Sequence, residues 1–289
     1  MTNLFVTGAT GNVGSAVIAA LSKIEHKFSV FAGVRNLNDF VLKPETQNIQ
    51  TIHFDFNDIT TYNTALKNCH VLFLLRPPQI SNVKKYFNPL IKSCNYNGVK
   101  HIVFLSVQGV EKSKIIPHHK IEKLIVESNI PFTFLRPAYF MQNFTTTLLD
   151  DLLHKKIIYL PAGNARFTLV DVRDIGLVAA NIFINISDHI NKSYELTSKE
   201  KLTFSEMAQV LSKVLETKII YKSPNLISFY LAKRKEKKSP MLILVMIMLH
   251  YFPRFQPEPI VTEWVTKILN RQPTTFEEFV TRHKEQLTR

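Results

Sequence analysis

"LFVTGATGNVGSAV", residues 4–17, joins an apolar run to a helical pattern through three glycines, Gly8, Gly11 and Gly14. Isolated glycine repeats are common, and the order strand, glycine turn, helix is what gives this spacing meaning. Gly8 permits the tight turn, Gly11 lets backbone approach a pyrophosphate, and Gly14 lets the helix pack close on the strand. The amides at the start of the helix then face the phosphates. The stretch predicts a dinucleotide loop at the opening of an α/β domain.

Outward from the loop, short apolar runs alternate with helical spacings. Residues 4–7, 29–34, 50–54, 71–75, 101–106 and 132–136 read as strands, and 13–23, 59–68, 83–97 and 119–128 as helices. Strands that are almost wholly apolar are buried on both faces, as in a parallel sheet covered by helices. The alternation predicts a doubly wound parallel α/β sheet, with a ligand crevice at the carboxyl ends of its strands. Beyond residue 140 the pattern loosens. The expectation is a nucleotide-binding domain over 1–150 and a smaller C-terminal α/β lobe over 151–289, from which segments can return to the sheet. In "FTLVDVRDIG" (167–176), Asp171 and Asp174 open a helix, where carboxylates favour the dipole. Thr203 and Glu206 form a candidate capping box.

The end of the second strand selects the cofactor. A carboxylate there holds the ribose hydroxyls of NAD, and an arginine meets the 2′-phosphate of NADP. The chain reads "FAGVRN", with Arg35 and no acid, so NADP(H) is expected. The net charge of +13 suits nucleic acid, anionic lipid or an anionic substrate. Most of the 36 Lys and Arg are dispersed, which favours a solvated basic surface and argues against nucleic acid; "KRKEKK" (233–238) is the one run. Two cysteines, Cys69 and Cys94, no leader-like start and no apolar run near the roughly 20 residues of a membrane span fit a cytoplasmic setting. No His or Cys spacing suggests a metal site.

Taken in order, "VTGATGNVG", "GVRN", "HFDF", "GVKHIVFLSVQGV", "PHHKIEK", "IPFTFLRPAYFMQN" and "FTLVDVRDIG" resemble the NmrA-like atypical short-chain dehydrogenases. The likeness is to quinone, triphenylmethane and azo reductases with a Rossmann domain. It implies dinucleotide contacts from Gly8, Thr10, Gly11, Asn12, Val13 and Gly14, with Arg35 at the 2′-phosphate. It further implies Asp55 and Phe56 at the adenine, Leu75 and Arg76 beside the ribose, and Ser106 among the cofactor contacts. Tyr139, Phe140, Met141 and Asn143 become pocket walls for a small aromatic or quinone-like substrate.

Ordinary short-chain dehydrogenases carry a Tyr-x-x-x-Lys pair whose phenol protonates a carbonyl oxygen. The matching stretch here, "IIPHHKIEKLI" (115–125), offers His118 and Glu122 instead, and "YNGVK" (96–100) falls at the wrong edge of the sheet. Hydride transfer to a ketone builds an alkoxide that needs a donor. A quinone or cationic dye delocalises or neutralises that charge, so positioning can suffice. The expected activity is NADPH-dependent reduction of a conjugated aromatic acceptor. His118, with an ordinary imidazole pKa, is either its proton donor or a strut paired with Glu122. The alternative is a redox sensor that binds NADP(H) and regulates a protein partner. For "SPMLILVMIMLHYF" (239–252), burial as a core helix is favoured over a flexible flap or contact with a membrane surface.

Overall fold

The apolar runs of the first half form a single parallel sheet. The computed structural model describes residues 2–37 and 49–289. Its strands β1 (Thr2–Val6), β2 (Phe28–Val34), β3 (Ile49–His53), β4 (Val71–Leu75), β5 (His101–Leu105), β6 (Phe132–Pro137) and β10 (Lys192–Leu196) lie in the order β10-β6-β5-β4-β1-β2-β3. Every described pairing in this sheet is parallel. Strand order reverses between β1 and β4, and a crevice opens at such a point beyond the strands' carboxyl ends.

Burial on both faces explains why these strands carry almost no polar residues. Phe5, Leu72, Leu74 and Phe104 point to one face, where helices α2 (Thr61–Leu66), α3 (Val83–Tyr96) and α4 (Pro117–Glu127) supply Leu66, Phe87, Ile121 and Ile125. On the other face Phe73 meets Phe183 edge-on at 6.1 Å. Helices α1 (Asn12–Leu21) and α5 (Val172–Ile184) pack so closely that a Cβ on Gly176 would lie 2.5 Å from the Ala16 carbonyl oxygen. Asp174 in the first turn of α5 is buried and pairs with Arg271. Its partner is thus a guanidinium as well as the helix dipole anticipated from sequence.

The chain divides into two units by its contacts: Met1–Ala138, Val172–Leu196 and Glu263–Gln272 form the first, and Tyr139–Asp171, Thr197–Thr262 and Pro273–Arg289 the second. A linear boundary at residue 150 becomes a discontinuous one, because α5, β10 and the short α9 (Trp264–Leu269) return to the sheet unit. Tyr194 on β10 packs on Trp264 at 4.9 Å.

In the second unit, β7 (Tyr139–Phe140), β9 (Arg166–Val170) and β11 (Lys201–Thr203) form one small sheet, and β8 (Ile157–Tyr159) pairs with β12 (Ile220–Lys222). Helices α6 (Phe204–Leu215), α7 (Leu226–Lys235), α8 (Pro240–Tyr251), α10 (Phe276–Arg282) and α11 (Lys284–Thr288) surround a core that includes Phe144, Phe204, Phe229 and Phe276. The Thr203–Glu206 capping box forms as the sequence suggests, and Thr275 with Glu278 makes a second. Asp171 is fully buried and accepts from Arg282 and Gln142.

Candidate functional site

The glycine loop occupies the carboxyl end of β1, where the strand order reverses. Gly8 has φ +62°, a left-handed conformation that disfavours any side chain. A Cβ on Gly14 would sit 2.2 Å from the Gly8 carbonyl oxygen, so α1 can approach the strand only without one. Gly11 differs: its φ of −86° suits any residue, and an added Cβ would meet only the Gly8 oxygen, at 3.3 Å. The Gly11 amide donates to the Gly8 oxygen and Ser15 to the Gly11 oxygen, both at 2.9 Å. The leading amides of α1, beginning at Asn12, have no acceptor within the helix. Thr10, Gly11 and Asn12 are exposed, whereas the Val13 side chain is buried, so Val13 can offer a ligand only its backbone.

Thr7 was not singled out from sequence, yet it holds this edge together. Its hydroxyl donates to the Phe73 oxygen at 3.0 Å and accepts from the Leu75 amide at 2.8 Å. The clamp sets β4 against β1, and Leu75 then covers the Gly8 turn. The available signal was a polar residue closing an apolar run. Ser106 lies one residue beyond Leu105, which pairs with Leu75 across β4 and β5. It is 2% exposed, and its hydroxyl has no hydrogen-bond partner among the described residues.

At the other side of the loop, Arg35 directly follows β2, is exposed and makes no ion pair among the described residues. Asp55 uses one carboxylate oxygen to accept from the Asn57 amide at 2.9 Å, fixing the turn after β3. Phe56, expected at the adenine, could meet a ligand there only through its backbone. Its ring is 6% exposed and packs against Phe54 and Phe87 in the core, so only its backbone faces the turn.

Arg76 and His118 meet across 42 residues of chain: Arg76 Nε–H donates to His118 Nε2 at 3.3 Å. A guanidinium has no acceptor, so the imidazole must be neutral with its proton on Nδ1. Burial first, and then the Arg76 charge, push the His118 pKa down to about 3. The ordinary imidazole pKa assumed from sequence does not hold, and an imidazolium donor is removed at neutral pH. Arg76 also donates to the carbonyl oxygens of Pro77, Pro78 and Ile80, so its side chain pins the loop after β4.

Glu122 does not pair with His118. Both its oxygens bind Arg136, at 3.1 Å from Nε and 2.8 Å from the terminal nitrogen, tying α4 to β6. Burial would lower the Arg136 pKa, but Glu122, with Glu111 and Glu195, raises it. His118 and Glu122 thus bind different arginines, Arg76 and Arg136. Tyr96 and Lys100 fall as expected on the far edge, Tyr96 83% exposed at the end of α3 and Lys100 just before β5.

The expected pocket segment lies in the second unit. Tyr139 donates to His250 Nε2 at 3.1 Å, while His250 Nδ1 donates to the Met246 oxygen at 2.6 Å. Desolvation raises the Tyr139 pKa and lowers that of His250 to about 4, which keeps both neutral. Phe140 and Asn143 are partly exposed. Met141 is another correction: the turn Met141–Thr145 directs it and Phe144 into the core, where Met141 is 0% exposed, so it forms no accessible wall.

The family model described as NmrA-like matches residues 2–280. The NAD(P)H azoreductase of Xenophilus azovorans is 25% identical over 293 residues, covering 97% of both chains. Prestalk A differentiation protein A of Dictyostelium discoideum is 29% identical over 211 residues, 73% of this chain and 69% of its own. Among solved structures, the Citrobacter sp. triphenylmethane reductase complexed with NADP(H) superposes with a TM-score of 0.83 at 24% identity, over 97% of this chain and 99% of that one.

Proposed function

Since the chain belongs to the NmrA-like family, we propose that it is an NADPH-dependent reductase passing hydride directly to a quinone-like or other conjugated aromatic acceptor. The observation that carries the reading is the glycine loop at the reversal of strand order, with Arg35 at the end of β2. The exposed backbone of Thr10 to Asn12 and the leading amides of α1 would hold the pyrophosphate, and Arg35 the 2′-phosphate. Ser106 supports the fit, because a buried hydroxyl without a partner is satisfied by a polar group of the cofactor. When bound, NADPH supplies the hydride.

The acids at hand support this acceptor class. His118 is neutral and its Nε2 is held by Arg76, and Glu122 is held by Arg136. A reaction that leaves a localised alkoxide would need a donor that neither residue supplies. A cationic dye becomes neutral on taking hydride, and a quinone leaves a delocalised oxyanion that solvent can protonate. The names of the azo and triphenylmethane relatives fit this class.

The test is NADPH oxidation by purified protein against a panel of quinones, azo dyes, cationic triphenylmethane dyes and simple ketones. Turnover confined to the conjugated compounds is expected. NADPH binding without turnover on any of them would favour the redox-sensor reading, and preferential ketone reduction would overturn the acid argument.

A further inference from the structure

Helix α8 is apolar all round, and only half of it is buried. Ile243, Met246 and His250 face the core of the second unit. Met241, Leu242, Leu244, Met248 and Leu249 are between 41% and 66% exposed, where an ordinary surface helix carries charge. The expectation of plain core burial for 239–252 is therefore corrected by the outward half of the helix. The neighbouring segments extend the apolar surface: Ile227 and Leu231 on α7 are 75% and 62% exposed, and Phe252 and Phe255 are 51% and 69% exposed. Half of the large apolar side chains exposed among the described residues fall between 227 and 255.

Two further observations select what covers this surface. Residues 226–255 hold six Lys and Arg and a single acid, Glu236. Glu236 is already bound to Lys155 and to the buried Lys233, leaving Arg234, Lys235 and Lys237 exposed beside the apolar helix. At the other end of α8, Arg254 lies over the rings of Tyr251 and Phe255, at 5.0 and 5.8 Å from their centroids. Exposed aliphatic side chains flanked by lysines, arginines and aromatic rings match the layering of a bilayer interface, where apolar groups enter the acyl boundary and the flanks meet headgroups. Pairing of two copies through this face would instead bring two basic runs together at the symmetry axis. With 12 residues, α8 is about 18 Å long, and no described helix is long and apolar enough to cross a membrane, so the helix lies on the surface.

We propose that α8 and its flanks dock the protein on an anionic lipid surface. The inference rests on exposure and charge in the second unit and is independent of the acceptor assigned above. The test is co-sedimentation of the full chain with vesicles of phosphatidylglycerol and phosphatidylcholine, and with phosphatidylcholine alone. Binding to the anionic vesicles that weakens with salt is expected. Leu244→Glu/Met248→Glu should abolish it, and the triple change of Arg234, Lys235 and Lys237 to Gln should weaken it roughly 100-fold. Melting temperature and NADPH titration verify that the variants remain folded. Failure of the unaltered protein to bind, or binding that survives Leu244→Glu/Met248→Glu, overturns the proposal. So does a dimer seen by sedimentation velocity that those two changes dissociate, which would make the face a self-association surface.

Discussion

Replacing Gly14 and Gly11 in turn by alanine separates a packing requirement from a binding requirement. Helix propensity alone favours Gly14→Ala by about 1 kcal/mol. Against this, the new Cβ would lie 2.2 Å from the Gly8 oxygen and 2.7 Å from its carbonyl carbon, atoms of backbone that cannot rotate away. Overpacking of this kind costs about 1–3 kcal/mol, and a contact with backbone belongs at the upper end. The net loss expected for Gly14→Ala is about 1–2 kcal/mol, or roughly 2–8 °C in melting temperature for a domain of this size. Gly11→Ala keeps an ordinary φ but brings its Cβ to 3.3 Å from the same backbone oxygen, a contact that a shift of a few tenths of an ångström relieves, so its melting temperature without cofactor should fall less than that of Gly14→Ala. Its NADPH affinity should nonetheless fall at least about tenfold, the cost of losing one close phosphate contact. Thermal melts without cofactor and NADPH fluorescence titrations read the two effects. A Gly11→Ala protein that binds NADPH normally, or a Gly14→Ala protein that melts higher, would refute the reasoning.

Arg35→Ser should weaken NADPH roughly 10- to 150-fold, the worth of a charge-assisted bond, while NADH changes little; equal loss for both removes the NADP assignment. Asp151→Ala leaves Lys233, whose side chain is 3% exposed, with only Glu236 as partner, and should cost about 3–5 kcal/mol in urea unfolding. Lys155→Ala, half-exposed in the same network, should cost about 1 kcal/mol or less. His101, His118 and His250 have folded pKa values of about 4, 3 and 4, below the unfolded 6.5. Their contribution is complete above the unfolded value and lost as pH falls, so stability should drop between pH 6.5 and about 3, with the buried His250 contributing about 3 kcal/mol. A melting temperature constant across that range, or one that rises, contradicts the assignment.

The sheet unit was readable because its information is local. Periodicity marked strands buried on both faces, and the glycine loop located the sheet edge proposed to bind the cofactor. What escaped depends on partners distant in sequence. Thr7 acquires its role only once β4 lies beside β1, and His118 loses its acid character because folding buries it and brings Arg76 from the end of β4 against its Nε2. Met141 occupies a position where a pocket wall was expected, yet its local turn directs the side chain into a core. The return of α5, β10 and α9 to the first unit leaves no mark in composition, so the sequence could allow for returning segments but not say which ones they are. For α8, an apolar run reads as core, and only the folded lobe shows which half lacks a covering.

Hydride transfer without a dedicated acid is tested most directly with a cationic triphenylmethane dye and NADPH carrying deuterium at both C4 positions of the nicotinamide. The account predicts a colourless product carrying deuterium on its central carbon, formed by flavin-free protein at a rate that His118→Asn leaves within about threefold. A product without deuterium, or loss of turnover in His118→Asn with NADPH binding intact, would contradict it.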